Sequence, residues 1–377
     1  MTTERAKLEH RIDAIDPGSL ARATTIRLRR GTIETPIFMP VGTLGTVKGL
    51  APFELRDAGA AIILANTYHL FLRPSTAVLE RAGGLHRFMA WDRPILTDSG
   101  GYQFFSLSSL CRYDDRGVEF KSHLDGTKHF FTPERVIELQ ASIDSDIHMQ
   151  LDQCPALPAA PEVLREAMLR SIDWARRSRA VSVDRQGALF AIVQGGTDRA
   201  MRRFHAETVA AEDYAGYALG GLAVGEAPDE MYEVIEATTP FLPADRPRYL
   251  MGVGTPRDLL EAIGRGIDMF DCVLPTRNAR NGQVFTRAGR RNLRNARFQS
   301  DDAPLDAACG CYTCRTFSRA YLAHLFRSQE MLGPRLATLH NIQYYLDLVR
   351  GARDAILAGA FDSYRSRCIE AWSRRDD

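Results

Sequence analysis

The chain has 377 residues, 45 % apolar and 25 % charged, which fits a globular protein with room for one large domain and a small appendage. No apolar run approaches the roughly 18 residues of a membrane span, and the N-terminus has no apolar secretion segment, so a cytoplasmic protein is expected. The formal net charge of +1 excludes a globally polybasic nucleic-acid binder, although not a local basic face.

The opening stretch "MTTERAKLEHRIDAID" (1–16) is polar and reads as helical. Eight short apolar runs follow, each ending in small or polar residues. They are "TPIFMPVG" (35–42), "AAIILANTYHL" (60–70), "PILTDSGG" (94–101), "SDIHMQLDQC" (145–154), "ALFAIVQGG" (188–196), "GYALGGL" (216–222), "PRYLMGVG" (247–254) and "GIDMFDCVLP" (266–275). Helical material lies between most of them. Thr132-Pro133 opens "TPERVIELQASI" with a cap and a first-turn proline, and Thr255 opens "TPRDLLEAIGRG" in the same way. Residues 161–180 and 228–240 read as amphipathic helices.

Eight buried strands alternating with helices predict an α/β fold, a closed (β/α)₈ TIM barrel. A doubly wound open sheet is the alternative, weakened because no G-x-G-x-x-G follows the first strand. Two stretches do not fit a plain barrel. "GVEFKSHLDGTKHFF" (117–131) reads as a β-hairpin turning at Asp125-Gly126, inserted after the third strand. Residues from about 276 to 345 interrupt the last βα unit. The chain is thus expected to be one barrel domain over 1–377, with an N-terminal extension, a hairpin insertion and a cysteine-bearing subdomain.

Chemistry in such barrels sits at the C-terminal ends of the strands. Those ends are Asp98-Ser99 after the third strand, Asp152 after the fourth, Gln194 after the fifth, Gly220-Gly221 after the sixth, Met251-Gly252 after the seventh and Asp271 after the eighth. Any one acid could be a helix cap or a loop anchor. Three carboxylates on one rim point to an active site.

Seven arginines and no acid lie between Cys272 and Ser300. Such a run can be a solvated face or a phosphate-neutralising one. Behind it, Cys309, Cys311 and Cys314 with His340 give C-x-C-x₂-C-x₂₅-H. Three thiolates and an imidazole suit one tetrahedral, structural Zn²⁺ with no open position for catalysis. The alternative is three reduced cysteines packed in a small core.

"DSGGYQ" (98–103), "GGLAVGE" (220–226), "YLMGVG" (249–254), "DMFDCVLPTRNARNG" (268–282) and the Cys₃His pattern together resemble the bacterial tRNA-guanine transglycosylases, from about residue 10 to the end. The resemblance implies a zinc-bearing (β/α)₈ barrel that exchanges the wobble guanine of certain tRNAs for a 7-deazaguanine precursor of queuosine. It implies Asp271 as nucleophile on the ribose and Asp98 as proton acceptor and donor. Asp98, Ser99, Asp152, Cys154, Gln194, Gly221, Leu222, Met251 and Gly252 would bind the base, with Tyr102 stacked on it. Glu226 would turn the Leu222-Ala223 peptide to accept from an aminomethyl group. Arg277, Arg280, Arg287, Arg290 and Arg291 would grip the anticodon stem-loop.

Cys154 and Val224 match the bacterial pattern, which favours 7-aminomethyl-7-deazaguanine over queuine. Gln153 departs from it, standing where family members typically carry an acid, and so puts the pocket charge in question. The resemblance also implies a homodimer, with Phe317, Tyr321 and His324 as contacts. Among rival functions, a non-catalytic RNA-binding relative should lack Asp271 or Asp98, and both are present. A metal-dependent barrel hydrolase needs several rim histidines, and His69 has none beside it. A related transglycosylase using another base or nucleic acid remains the closest alternative.

Overall fold

The computed structural model describes residues 7–183 and 185–373. All eight apolar runs contain a parallel strand: Ile37–Pro40, Ile63–Ala65, Ile95–Thr97, Ile147–Met149, Ala188–Val193, Gly216–Leu219, Arg248–Leu250 and Met269–Cys272. Each pairs with its sequence neighbour, the first pairs with the eighth (Asp271 beside Met39), and a parallel bridge from Val41 to Leu64 joins first to second. The sheet is therefore closed, and the open-sheet alternative is excluded.

Alternation along the strands sorts side chains by face. Met39, Leu64, Met149, Ile192 and Met269 share the barrel interior, whereas Phe38, Ala65, Val193, Leu219 and Phe270 face the helices. On the eighth strand Asp271 falls on the interior face, in step with Met269. The helix starts occur where the turn chemistry put them. Thr132 Oγ1 accepts from the Arg135 N–H, and Thr255 and Asp258 form a reciprocal capping box. The long amphipathic helices run over Pro161–Ser182 and Pro228–Thr238.

The N-terminal reading needs correction. Glu9–Ile15 is a strand, not a helix, and forms an antiparallel meander with Arg22–Leu28 and Gly31–Thr35; residues 1–6 lie outside the described residues. His10, Ile12 and Ala14 alternate as a strand requires, a period masked by the polar residues between them. Ile26, Leu28 and Ile33 of this meander pack with the barrel interior, so it closes the floor. The hairpin insertion is also larger than expected. Cys111–Asp114 adds a third strand to Gly117–Lys121 and Lys128–Phe131.

After the eighth strand the chain makes a short helix, Leu274–Arg280, and a hairpin of Gln283–Thr286 with Gly289–Asn292. Two further helices, Tyr312–Thr316 and Arg319–Arg327, lead to the long helix Leu332–Leu357. That helix completes the barrel, with the Tyr345 ring tilted at 56° against Phe38 and its hydroxyl donating to the Gly254 carbonyl. The insertion has its own apolar cluster around Val284, Leu293, Phe326 and Leu336. Asn341, fully buried in the long helix, donates to the Pro275 and Gln283 carbonyls and accepts from the Phe285 N–H, tying the insertion to the helix that follows Asp271.

Candidate active site

A cavity of about 300 Å³ opens at the C-terminal rim, within the range of small-molecule sites. Asp98, Ser99, Tyr102, Asp152, Cys154, Gly221, Leu222, Val224, Met251, Gly252 and Asp271 all line it. His69 is its only histidine among the described residues, too few for a metal-dependent hydrolase.

Asp271 is partly buried. Its Oδ1 accepts from the Tyr249 hydroxyl at 2.6 Å and from the Gly252 N–H at 2.8 Å, while among the described residues no donor reaches Oδ2. One oxygen is thus anchored and the other left for chemistry. Burial raises its pKa, against the pull of those two donors.

Asp98 is held by the second strand's exit. Asn66 Nδ2 donates to Oδ2 at 2.6 Å and the Thr67 N–H to Oδ1 at 2.8 Å. Burial pushes its pKa up to about 6; bonds from Asn66, Thr67 and Gln103 pull the other way, and the Asp271 charge adds to the rise. A carboxyl that titrates near neutrality can both give and take a proton.

Asp152 accepts from Ser99 Oγ at 3.1 Å and Gln194 Nε2 at 2.7 Å, and burial raises it to about 6. A Cβ on Gly101 would come within 2.2 Å of Asp152 Oδ1, so only glycine lets the Tyr102-bearing helix, Gly101–Ser106, start this close. Tyr102 is 59 % exposed, leaving its ring free as a platform at the mouth. Gln194 does not line the cavity; it stands behind Asp152, with its Oε1 buried and without a hydrogen-bond partner among the described residues.

Glu226 also lies outside the cavity and acts on the loop that lines it. It accepts from the Ala223 N–H and, at 3.1 Å, from the Val224 N–H. A trans peptide directs its carbonyl opposite its N–H, so Glu226 turns the Leu222 carbonyl away from itself. Ala223 adopts φ +57°, a left-handed conformation uncommon for a residue with a side chain. Beneath this loop, fully buried Arg202 donates to the carbonyls of Gly196, Val193 and Gly221 at 2.8, 2.9 and 3.2 Å. Gln153 leaves the cavity altogether, accepting from Arg170 Nη1 at 2.5 Å, so its lack of charge does not reach the lining.

Sequence reasoning missed Asn66, Tyr249 and Arg202. Asn66 and Tyr249 lie inside quoted motifs, but neutral donors carry no charge pattern. Arg202 sits on a helix, Arg199–Ala210, where an arginine ordinarily reads as surface.

Cys309, Cys311, Cys314 and His340 are all buried, and their ligand atoms lie within 4.8 Å of one another. His340 Nδ1 is 3.2 Å from Cys314 Sγ and 3.7 Å from Cys311 Sγ, while Nε2 donates to the Phe285 carbonyl at 2.7 Å. That bond fixes the tautomer that presents a lone pair to the thiols. The donor set fits a structural metal ion.

Of the predicted RNA-contacting arginines, Arg277 and Arg290 are exposed and Arg280 is partly buried, its Nη1 without a partner among the described residues. Arg287 is tied internally to Asp306 at 3.4 Å, and Arg291 is partly buried. Phe317 and Tyr321 stack with centroids 5.1 Å apart beside the metal cluster, and Tyr321 is 39 % exposed. No helix among the described residues is long and apolar enough to cross a membrane.

A family model described as Queuine tRNA-ribosyltransferase matches residues 16–374. Proteins of that name are 54 % identical in Caldanaerobacter subterraneus subsp. tengcongensis, over 93 % of this chain and 94 % of the relative, and 55 % identical in Acidithiobacillus ferrooxidans, over 91 % and 92 %. The relative in Thermoanaerobacter pseudethanolicus is 49 % identical over 99 % of this chain and its own full length. Over this length and identity, the chain belongs to the queuine tRNA-ribosyltransferase family.

Proposed function

We propose that this protein is a pentosyltransferase acting on tRNA, a tRNA-guanine transglycosylase of queuosine synthesis, with 7-aminomethyl-7-deazaguanine as incoming base. The observation that carries the reading is Asp271 with one oxygen anchored and one free, in a base-sized cavity it shares with Asp98.

Asp271 Oδ2 attacks C1′ of the ribose. The C1′–N9 bond breaks, its electron pair leaves on N9, and Asp98 supplies the proton that completes free guanine. The covalent ribosyl ester is then attacked by N9 of the incoming base, whose proton passes to Asp98 as the ester bond breaks. This is the double displacement of retaining glycosidases with a base in place of water. Asp98 serves as acid and then as base.

Asp152, Ser99 and the Gly221–Leu222 backbone meet the hydrogen-bonding edge of the purine, Tyr102 stacks on one face and Met251 walls the other. Gln194 and Arg202 hold Asp152 and the Gly221 loop in place. The Leu222 carbonyl, turned by Glu226, accepts from the aminomethyl ammonium, and Cys154 and Val224 complete the wall around it. Arg277 and Arg280 neutralise phosphates beside the scissile nucleotide. The Cys₃His group takes Zn²⁺, which when bound staples the insertion that presents these arginines. The Phe317–Tyr321 stack and His324 form a homodimer contact, and the thiol-based metal site fits a reducing cytoplasm.

Incorporation of radiolabelled guanine into tRNA tests the reading. The wild type exchanges the base, and Asp271→Ala and Asp98→Ala do not. Exchange that survives Asp271→Ala defeats the nucleophile assignment. Metal analysis of fresh protein yields one zinc per chain, and none would defeat the Cys₃His reading.

A further inference from the structure

Arg202 is 0 % exposed, and among the described residues no carboxylate pairs with it. Its guanidinium donates to three main-chain carbonyls, those of Gly196, Val193 and Gly221. Buried Arg22 and Arg353, by contrast, are paired with Asp268 and Asp13. Neutral donors can satisfy three carbonyls, and burying a cation without a counter-ion is costly. The position is therefore one where the charge has a use beyond the hydrogen bonds. Burial lowers the Arg202 pKa to about 10, which leaves the group charged at neutral pH.

That charge sits beneath the wall of the base-sized cavity. Gly221, whose carbonyl takes Arg202 Nη2, lines the cavity together with Leu222. A trans peptide directs its N–H opposite its carbonyl, so the Leu222 N–H points away from Arg202. A cation on the carbonyl draws electrons out of the amide and strengthens that N–H as a donor. The field also reaches the cavity wall itself. Burial and the Asp152 charge raise the Cys154 thiol to about 12, and the Arg202 charge opposes them. His205, one turn along the same helix, is kept neutral by burial first and by Arg202 second. Glu226, on the facing loop, is engaged by the Ala223 and Val224 N–H groups.

We infer that Arg202 is a positioning residue for base departure, whose charge, relayed through the Gly221–Leu222 peptide, stabilises the leaving guanine as an anion. The inference deepens the transglycosylase reading and rests on it. When the C1′–N9 bond breaks, its electron pair enters the purine and spreads onto O6 until the Asp98 proton arrives. A donor strengthened by a fixed, buried cation meets that charge without reorganising. The same charge acts in reverse when N9 of the incoming base gives its proton to Asp98.

Two variants of the full chain separate charge from packing, read as kcat for guanine exchange into tRNA beside the Kd for free guanine. Arg202→Met removes the charge and keeps most of the bulk. It should lower kcat about 100-fold while changing the Kd less than about threefold. Arg202→Lys keeps a charge only while its amine is protonated, and burial lowers the pKa of such an amine. Measured against the wild type at each pH, its kcat should be nearly restored below that pKa. Above it, kcat should fall toward the Arg202→Met value.

A Kd and a kcat that worsen together in both variants make Arg202 a structural pin and overturn the inference. So does a wild-type kcat in Arg202→Met. An Arg202→Lys rate that keeps a constant ratio to the wild type from about pH 6 to pH 9 overturns it as well. A wild-type protein that exchanges no guanine would instead defeat the transglycosylase reading on which the inference rests.

Discussion

Asp268 and Asp271 stand three positions apart at opposite ends of one strand and are treated in opposite ways. At the floor, Asp268 is fully buried and takes a two-pronged bond from Arg22 at 2.9 and 2.6 Å, plus the Arg248 N–H at 2.7 Å. Asp146, also at the floor, is paired with Arg29, Arg30 and His86. Burial alone would raise Asp146, but the His86 bond and charge, the Ile95 N–H and Arg30 outweigh it and leave it below its ordinary value.

At the rim, Asp98, Asp152 and Asp271 receive only neutral donors, and burial raises all three. The same residue type is a fastener at one end and a reagent at the other. Counter-charge decides which. A carboxylate paired with arginine is held ionised and inert, whereas one with neutral donors keeps its nucleophilicity and its affinity for a proton.

The largest effect is expected at Asp271. Asp271→Asn keeps an oxygen to accept from Tyr249 and Gly252 but loses the nucleophile, so guanine exchange should fall at least about 10⁴-fold. The same change removes a buried charge without a counter-ion, so stability in urea should rise by about 1 kcal/mol. Asp268→Asn should do the reverse to stability. Stranding Arg22 in the floor should cost about 3–5 kcal/mol, visible as a lower urea midpoint. If both variants lose stability alike, the two ends do not differ as described.

The pH dependence sharpens the contrast. Asp98 and Asp152 titrate near 6 in the folded protein, against about 3.9 in an unfolded chain. The native state therefore binds more protons between about pH 4 and pH 6, and stability from these two groups falls as pH rises through that window. Asp146 has the opposite sign, losing its contribution as pH falls through its lowered folded value. Base exchange by the wild type should show a limb near pH 6; a rate flat through that window, or exchange that persists with the limb unchanged in Asp98→Asn, would remove Asp98 from proton transfer. The smallest effect concerns selectivity. Glu226→Ala frees the Leu222-Ala223 peptide and should cut the preference for the aminomethyl base over guanine about 10-fold, measured as a ratio of kcat/KM.

Much of the fold was legible because buried parallel strands read as unbroken apolar runs, and Pro-led helix starts punctuated them. The meander was not, since His10, Ile12 and Ala14 alternate with charges that also suit a helix. At the site, the three acids and the Cys₃His set stood out because charged or thiol side chains at strand ends are costly unless used. Asn66, Tyr249 and Arg202 did not, because what matters about each is the partner it meets from another strand or loop. Gln153 shows the same limit from the other side. It looked like a change in pocket charge, and only the fold turns it toward Arg170.

Denaturing mass spectrometry of the wild-type protein mixed with an anticodon stem-loop RNA tests the central claim most directly. The account predicts a protein–RNA adduct lacking the reacting guanine and attached through Asp271, with no adduct in Asp271→Asn. An adduct mapped to another residue, or one that persists in Asp271→Asn, would contradict it.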